Sequence, residues 1–146
     1  MILLIQVIFV SRTELRTHIM VILYQIALYQ KNGISYNIKD VINEELKDKE
    51  ENEFIFNIVN GVIDNQEKID MLANKYLNNW TLNRLGLTDQ AIIRMAIYEI
   101  LYTDTPNKVC IDEAIELAKK YSDKEVIKMI NGILDKIYHN EAEDAE

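Results

Sequence analysis

Two arginines near the start of the chain have the types and spacing of a small anion-binding site. Arg12 and Arg16 stand four residues apart, so on a helix they share one face. Arg12 lies within a capping box, S-x-x-E from Ser11 to Glu14, and Arg16 follows it; the box predicts a helix that begins there. Because a helix N-terminus offers free N–H groups to anions, Arg12, Arg16 and His18 form a candidate phosphate-binding edge. An ordinary surface pair is the alternative.

A second basic group lies near a predicted junction of two helices, and an aromatic residue, Tyr121, stands inside it. The lysines of this group are Lys119, Lys120, Lys124 and Lys128. An aromatic ring within a basic cluster is typical of surfaces that stack on unpaired bases. A position in the core is equally compatible with Tyr121.

Catalytic and metal-binding patterns are missing from the sequence. His18 and His139 are the two histidines, and neither has a neighbour at metal-ligand spacing. Cys110, the one cysteine, lies between two apolar residues, which predicts a buried thiol and excludes a disulfide within the chain. The chain contains no P-loop, dinucleotide-binding turn or nucleophile elbow. We therefore expect no enzyme activity, no cofactor and no metal.

Composition and periodicity predict an all-α fold of about seven helices. Among 146 residues there are 4 glycines and 1 proline, too few for the many turns of a β fold. In the first predicted helix, residues 13–30, the apolar positions follow the 3, 4 spacing of one helix face. A short helix over 39–47 follows, and 54–79 reads as one long helix or two in line. Gly61 within that stretch predicts a close helix crossing.

The remaining helices are predicted over 88–102, 108–121 and 123–138. Thr88 is the expected cap of the first, and its sequence AIIRMAIYEILY is apolar on nearly all sides, which predicts a central helix. A second capping box, Ser122 to Glu125, is expected to begin the last helix. The domain thus spans 11–138, and the acidic tail 139–146 is expected to be disordered.

The first ten residues, MILLIQVIFV, stand apart from this pattern. They are too few for a membrane span, which needs about 20 apolar residues, and they lack the basic start and cleavage site of a signal peptide. We interpret 1–10 as a disordered or non-native extension from an over-extended gene start, with a native start near Val10. A signal or membrane role is the alternative.

Three segments of the second half carry a specific resemblance. They read DQAIIRMAIYEIL from Asp89, PNKVCIDEAIELAK from Pro106 and VIKMINGILDK from Val126. In order and spacing these segments, with the first helix, resemble the NusB family of bacterial transcription antitermination factors over 11–137. The resemblance implies two packed helical subdomains and no catalysis. It also implies a cytoplasmic factor that binds single-stranded boxA RNA of ribosomal RNA leaders with the ribosomal protein NusE, joins RNA polymerase and suppresses termination.

The resemblance also implies which residues form each surface. The expected RNA-binding residues are Arg12, Arg16, Lys108, Tyr121, Lys128, Met129 and Asn131. The expected partner-binding residues are Tyr24, Asp89 and Glu125. Four positions depart from the family pattern: Thr13 and Glu14 replace arginines, Met129 replaces an aromatic residue and Asp112 replaces an asparagine.

The net charge of −8 conflicts with RNA binding by the chain alone, because phosphate contacts need positive charge. A basic partner would supply that charge. A helical adaptor that binds only protein and a detached NusB-like domain of an RNA cytosine methyltransferase are the alternatives. A homodimer that covers the RNA edge is also compatible with the sequence.

Overall fold

The structure is a computed structural model that describes residues 11–47 and 52–142. Within these ranges it contains no strand, so the predicted all-α class is confirmed. The helices are α1 (Arg12–Lys31), α2 (Ile38–Leu46), α3 (Glu53–Asp64), α4 (Gln66–Tyr76), a short 3₁₀ turn (Leu82–Arg84), α5 (Leu87–Tyr102), α6 (Asn107–Tyr121) and α7 (Lys124–Glu141).

Helix α5 lies at the centre, as its apolar sequence predicts. It packs against α1, α3, α4, α6 and α7. Helices α1, α2 and α3 form one group, since α1 contacts both of the others, while α6 and α7 pack on each other and α4 contacts α7. Both groups share α5, and the buried side chains form one continuous core. The two predicted subdomains therefore meet along α5.

The predicted cap Ser11 is confirmed, but two other predicted caps are wrong. Ser11 Oγ accepts a hydrogen bond from the backbone N–H of Glu14 at 3.3 Å. At the start of α7, Asp123 accepts from the N–H of Val126 at 3.0 Å and is the cap. Ser122 instead donates its hydroxyl to Asp89 at the start of α5. Thr88 lies inside α5, whose cap position is Gly86 without a side-chain bond.

Of the two alternatives predicted for 54–79, the structure shows two helices that meet at Asn65, the second of which ends at Tyr76. One boundary differs from prediction. Helix α7 continues to Glu141, so residues 139–141 are helical rather than part of a tail. This end of α7 is fixed to α4, because Glu141 accepts hydrogen bonds from Lys75 at 2.9 Å and Tyr76 at 2.5 Å. The predicted extension 1–10 and residues 143–146 of the predicted tail lie outside the described residues.

Gly61 confirms the predicted close crossing of two helices. A Cβ atom at this position of α3 would overlap the ring of Tyr98 on α5. That ring is in turn stacked on Tyr102, with centroids 5.1 Å apart. None of the helices in 11–47 and 52–142 has both the length and the apolar character needed to cross a membrane.

Candidate nucleic-acid and partner interface

Arg12 and Arg16, paired by the sequence, have different environments. Arg16 is 3% exposed. Its Nε and Nη2 atoms donate to the two carboxylate oxygens of Glu99 on α5 at 2.8 and 2.7 Å. Arg12 is exposed, and its guanidinium carbon lies 4.5 Å from the ring centroid of Phe54 on α3. Arg12 is therefore a surface cation, whereas Arg16 is an interior group that fixes α1 to α5.

Glu113 ties the same end of α1 to α6. Its Oε1 accepts from Thr13 Oγ1 at 2.9 Å and from Arg16 Nη1 at 3.4 Å. Burial by itself lowers the pKa of Arg16. The hydrogen bonds to Glu99 and the negative charges of Glu99 and Glu113 outweigh this effect, so the pKa of Arg16 is raised. The guanidinium stays charged between two carboxylates. Arg16 thus positions the start of α1 and does not present its donors to solvent.

The groove between α6 and α7 brings together predicted residues from two helices. Lys128 and Asn131 of α7 and Lys119 of α6 line a cavity of about 440 Å³. Its remaining walls are Asp112, Ile115, Glu116 and Ile127. Lys119 lies 3.2 Å from Glu116, while Lys128 forms no ion pair with any residue of the described ranges. Within the described residues, the groove therefore offers Lys128 without an ion pair and the Asn131 amide, beside two isoleucines and two carboxylates.

Lys108, Tyr121 and Met129 lie outside this groove. Lys108 is exposed in the first turn of α6 and pairs with Asp112 at 3.4 Å. Tyr121, at the opposite end of α6, is 48% exposed, and the two ends of this helix are about 20 Å apart. Met129 is half-buried and packs against the core. The predicted RNA residues thus follow an extended line along α6 and α7 rather than one pocket.

The predicted partner residues include two acidic groups at neighbouring helix starts. Asp89 lies in the first turn of α5 and Glu125 in the first turn of α7. The hydrogen bond from Ser122 to Asp89 holds these two helix starts together. Tyr24 is 38% exposed on α1, a helix that packs against α5.

The remaining candidates for chemistry have structural environments. Cys110 is buried, and burial, followed by the charge of Glu99, raises the pKa of its thiol to about 12. His18 Nδ1 lies 2.8 Å from Glu45 on α2, and His139 Nε2 lies 3.4 Å from Asp135. No group of three or more metal-ligating side chains occurs among the residues described.

Sequence reasoning missed the contributions of Phe54, Glu99 and Glu113. Phe54 counts in the sequence as one apolar position of a helix stripe, yet it lies against both α1 arginines. Glu99 is separated from Arg16 by 83 residues and Glu113 by 97. No local pattern connects positions so distant. Glu99 is one of two charged residues, with Arg94, inside the apolar run of α5, and this was the available signal for it.

The described residues define a protein of the all-helical class. The chain belongs to the NusB family, whose model matches residues 13–139. It is 39% identical to the transcription antitermination protein NusB of Macrococcus caseolyticus over 90% of this chain and 99% of that protein. Relatives of this kind are antitermination factors and not enzymes.

Solved structures agree with this assignment. The structure of T. maritima NusB matches with a TM-score of 0.81 at 33% identity, over 91% of this chain and 94% of that one. A crystal structure of the antitermination factors NusB and NusE in complex with double-stranded RNA matches with a TM-score of 0.72. That match covers 88% of this chain and 96% of the other, and at 23% identity it supports the fold alone.

Proposed function

We propose that this protein is a cytoplasmic transcription antitermination factor that binds boxA-type single-stranded RNA of ribosomal RNA leaders together with NusE. In this role it joins the RNA polymerase elongation complex and helps the polymerase read through terminators. One observation carries the proposal: in a chain of the NusB family, Lys128, Asn131 and Lys119 converge on one groove between α6 and α7.

The groove and its surroundings have the chemistry of single-strand recognition. Lys128 supplies a cation for a phosphate, and the Asn131 amide supplies both a donor and an acceptor for a base edge. Tyr121 and Lys108 extend the surface along α6, and the exposed ring of Tyr121 fits stacking on an unpaired base. Arg12 is the direct contact from α1. Arg16 and Met129 support this surface from beneath.

The net charge explains why a partner is needed. A chain of charge −8 repels RNA at long range, so the few cations of α1, α6 and α7 give weak binding alone. A basic partner beside Asp89 and Glu125 completes the surface. Both classes of partner, NusE and an RNA (there double-stranded), are present in a solved NusB complex that shares this fold.

Fluorescence anisotropy with a labelled boxA-type RNA tests the proposal. The protein is titrated alone and with NusE, at 50 and 200 mM salt. We expect tight binding with NusE only. If Arg12, Lys108 and Lys128 each neutralise a phosphate, the fourfold rise in salt weakens binding roughly 20-fold. Light scattering of the protein alone reports whether a homodimer covers the surface.

Lys128→Ala and Lys136→Ala form a matched pair on α7, since both remove one exposed lysine. Only Lys128 lines the groove, so only its loss should weaken RNA binding and flatten the salt dependence. If the complex with NusE forms but does not bind the RNA, the proposal falls. The protein-only adaptor, which the charge of −8 and the buried Arg16 favour, would then replace it.

A further inference from the structure

A second cavity, of about 710 Å³, lies between the starts of α1 and α3 and the connection from α5 to α6. We call it the Phe54 cavity. Its volume is within the range of about 300–1,000 Å³ that is usual for small-ligand sites. The lining residues that matter here are Arg12, Glu53, Phe54, Asn57, Asp104 and Pro106.

We propose that the Phe54 cavity holds one unstacked nucleobase of the bound RNA. This inference rests on the proposed function and deepens it, because it adds a base-binding cavity between α1 and α3 to the surface proposed along α6 and α7. Single-stranded RNA is recognised by base stacking on aromatic rings and on arginine planes. The cavity contains both, since Arg12 lies over the Phe54 ring at 4.5 Å.

The charges of the cavity favour a base over a phosphate. Glu53 and Asp104 both line it, and their carboxylates repel a phosphate. A carboxylate accepts hydrogen bonds from the amino group of a base, and the exposed Asn57 amide can pair with a base edge in both directions. The site therefore suits a base with an amino group on its Watson–Crick edge.

The position of the cavity agrees with the proposed RNA surface. Arg12 and Pro106 both line it, and Pro106 lies two residues before Lys108 at the start of α6. A guanidinium that stacks through its face keeps donors free at its edge. Arg12 in the cavity wall and Lys108 nearby in the chain can thus bind phosphates next to a base that enters the cavity.

The test measures coupling between one base of the RNA and Phe54. In the complex with NusE, binding is measured for a boxA-type RNA and for a series of RNAs that each lack one base. Three variants alter the cavity: Phe54→Leu removes the ring, Arg12→Lys removes the plane but keeps the charge, and Asn57→Ala removes an exposed amide. Phe54→Tyr restores a ring. Phe56→Leu is the matched control, because Phe56 is another half-buried phenylalanine of α3 that does not line this cavity.

We expect one abasic position to weaken binding to the unaltered complex about tenfold. In Phe54→Leu this penalty disappears, while Phe54→Tyr and Phe56→Leu retain it. Asn57→Ala, which leaves the core intact, reduces the penalty in part. If all three cavity variants bind every RNA like the unaltered protein while Lys128→Ala still weakens binding, the cavity proposal falls and the proposed function stands. If the unaltered complex binds no RNA, both fall.

Discussion

At the scale of single residues, we expect substitutions of the two α1 arginines to lower the free energy of unfolding by different amounts. Arg16→Met leaves Glu99 buried without its counter-charge, which should lower the free energy of unfolding by about 3–5 kcal/mol. Arg12→Met removes an exposed cation–π contact and should cost no more than about 1 kcal/mol. Urea denaturation followed by circular dichroism measures both.

The double variant Arg16→Met/Glu99→Met provides the control. Replacing both members of a buried ion pair leaves no unpaired charge, so this variant should be more stable than Arg16→Met alone. Equal urea midpoints for the two single arginine variants would contradict the interior role of Arg16.

Cys110 gives a second prediction at this scale. Burial raises the pKa of its thiol to about 12, so at pH 8 the group is protonated and lacks the nucleophilic thiolate. A thiol-specific reagent such as DTNB should therefore react very slowly with the native protein and rapidly in denaturing urea. A fast reaction of native protein at pH 8 would contradict the buried, protonated state of this thiol.

The sequence supplies the types of these residues but not their environments. The i, i+4 spacing correctly places Arg12 and Arg16 along one side of α1. It cannot show that Arg16, one turn after Arg12, is buried. The reason is that its partner, Glu99, lies 83 residues away in the sequence. Phe54 also lies far from the arginines in sequence, so no local pattern linked it to them.

At the scale of helices, Gly61 and Gly132 form a natural comparison. Both are helical, so alanine at either position gains up to about 1 kcal/mol of helix propensity. A Cβ at Gly61 would overlap the Tyr98 ring, whereas a Cβ at Gly132 meets nothing within 4 Å. We expect Gly61→Ala to lower the free energy of unfolding by about 1–3 kcal/mol and Gly132→Ala to raise it.

Thermal and urea unfolding of the two variants measures this difference. Tyr98→Leu should relieve the overlap, so Gly61→Ala should cost less in that background than alone. If Gly61→Ala is as stable as Gly132→Ala, the ring of Tyr98 moves aside freely and α3 and α5 are not closely packed at this crossing.

The sequence predicts the presence of the helices better than it predicts the residues at which they begin and end. The apolar surface of α5 is a property of its own residues, and it correctly predicts a central position. The start of α7 depends on whether the Ser122 hydroxyl caps this helix or bonds to another residue. Its hydroxyl bonds Asp89, so Asp123 becomes the cap. Likewise, α7 reaches Glu141 because Lys75 and Tyr76 of α4 bind that carboxylate. Such tertiary contacts override local cap signals.

At the scale of the whole molecule, the charge of −8 sets how the protein meets its partners. An acidic surface attracts a basic protein and repels RNA, and both effects weaken with salt. The proposed order of assembly is therefore the basic partner first and the RNA second. Local placement of charge then decides which face the partner approaches.

A charge-reversal pair tests this placement. Glu125→Lys and Glu67→Lys change the net charge equally and both sites are exposed, but Glu67 lies on α4, which carries none of the proposed partner residues. Since rim charges act mainly on association rates, Glu125→Lys should slow binding of NusE about three- to tenfold at low salt, and Glu67→Lys much less. Stopped-flow measurements across ionic strength should show the difference vanish near 0.5 M salt, where the Debye length is about 4 Å. Equal slowing by both variants would mean that net charge alone steers the encounter, and that Glu125 does not mark the partner face.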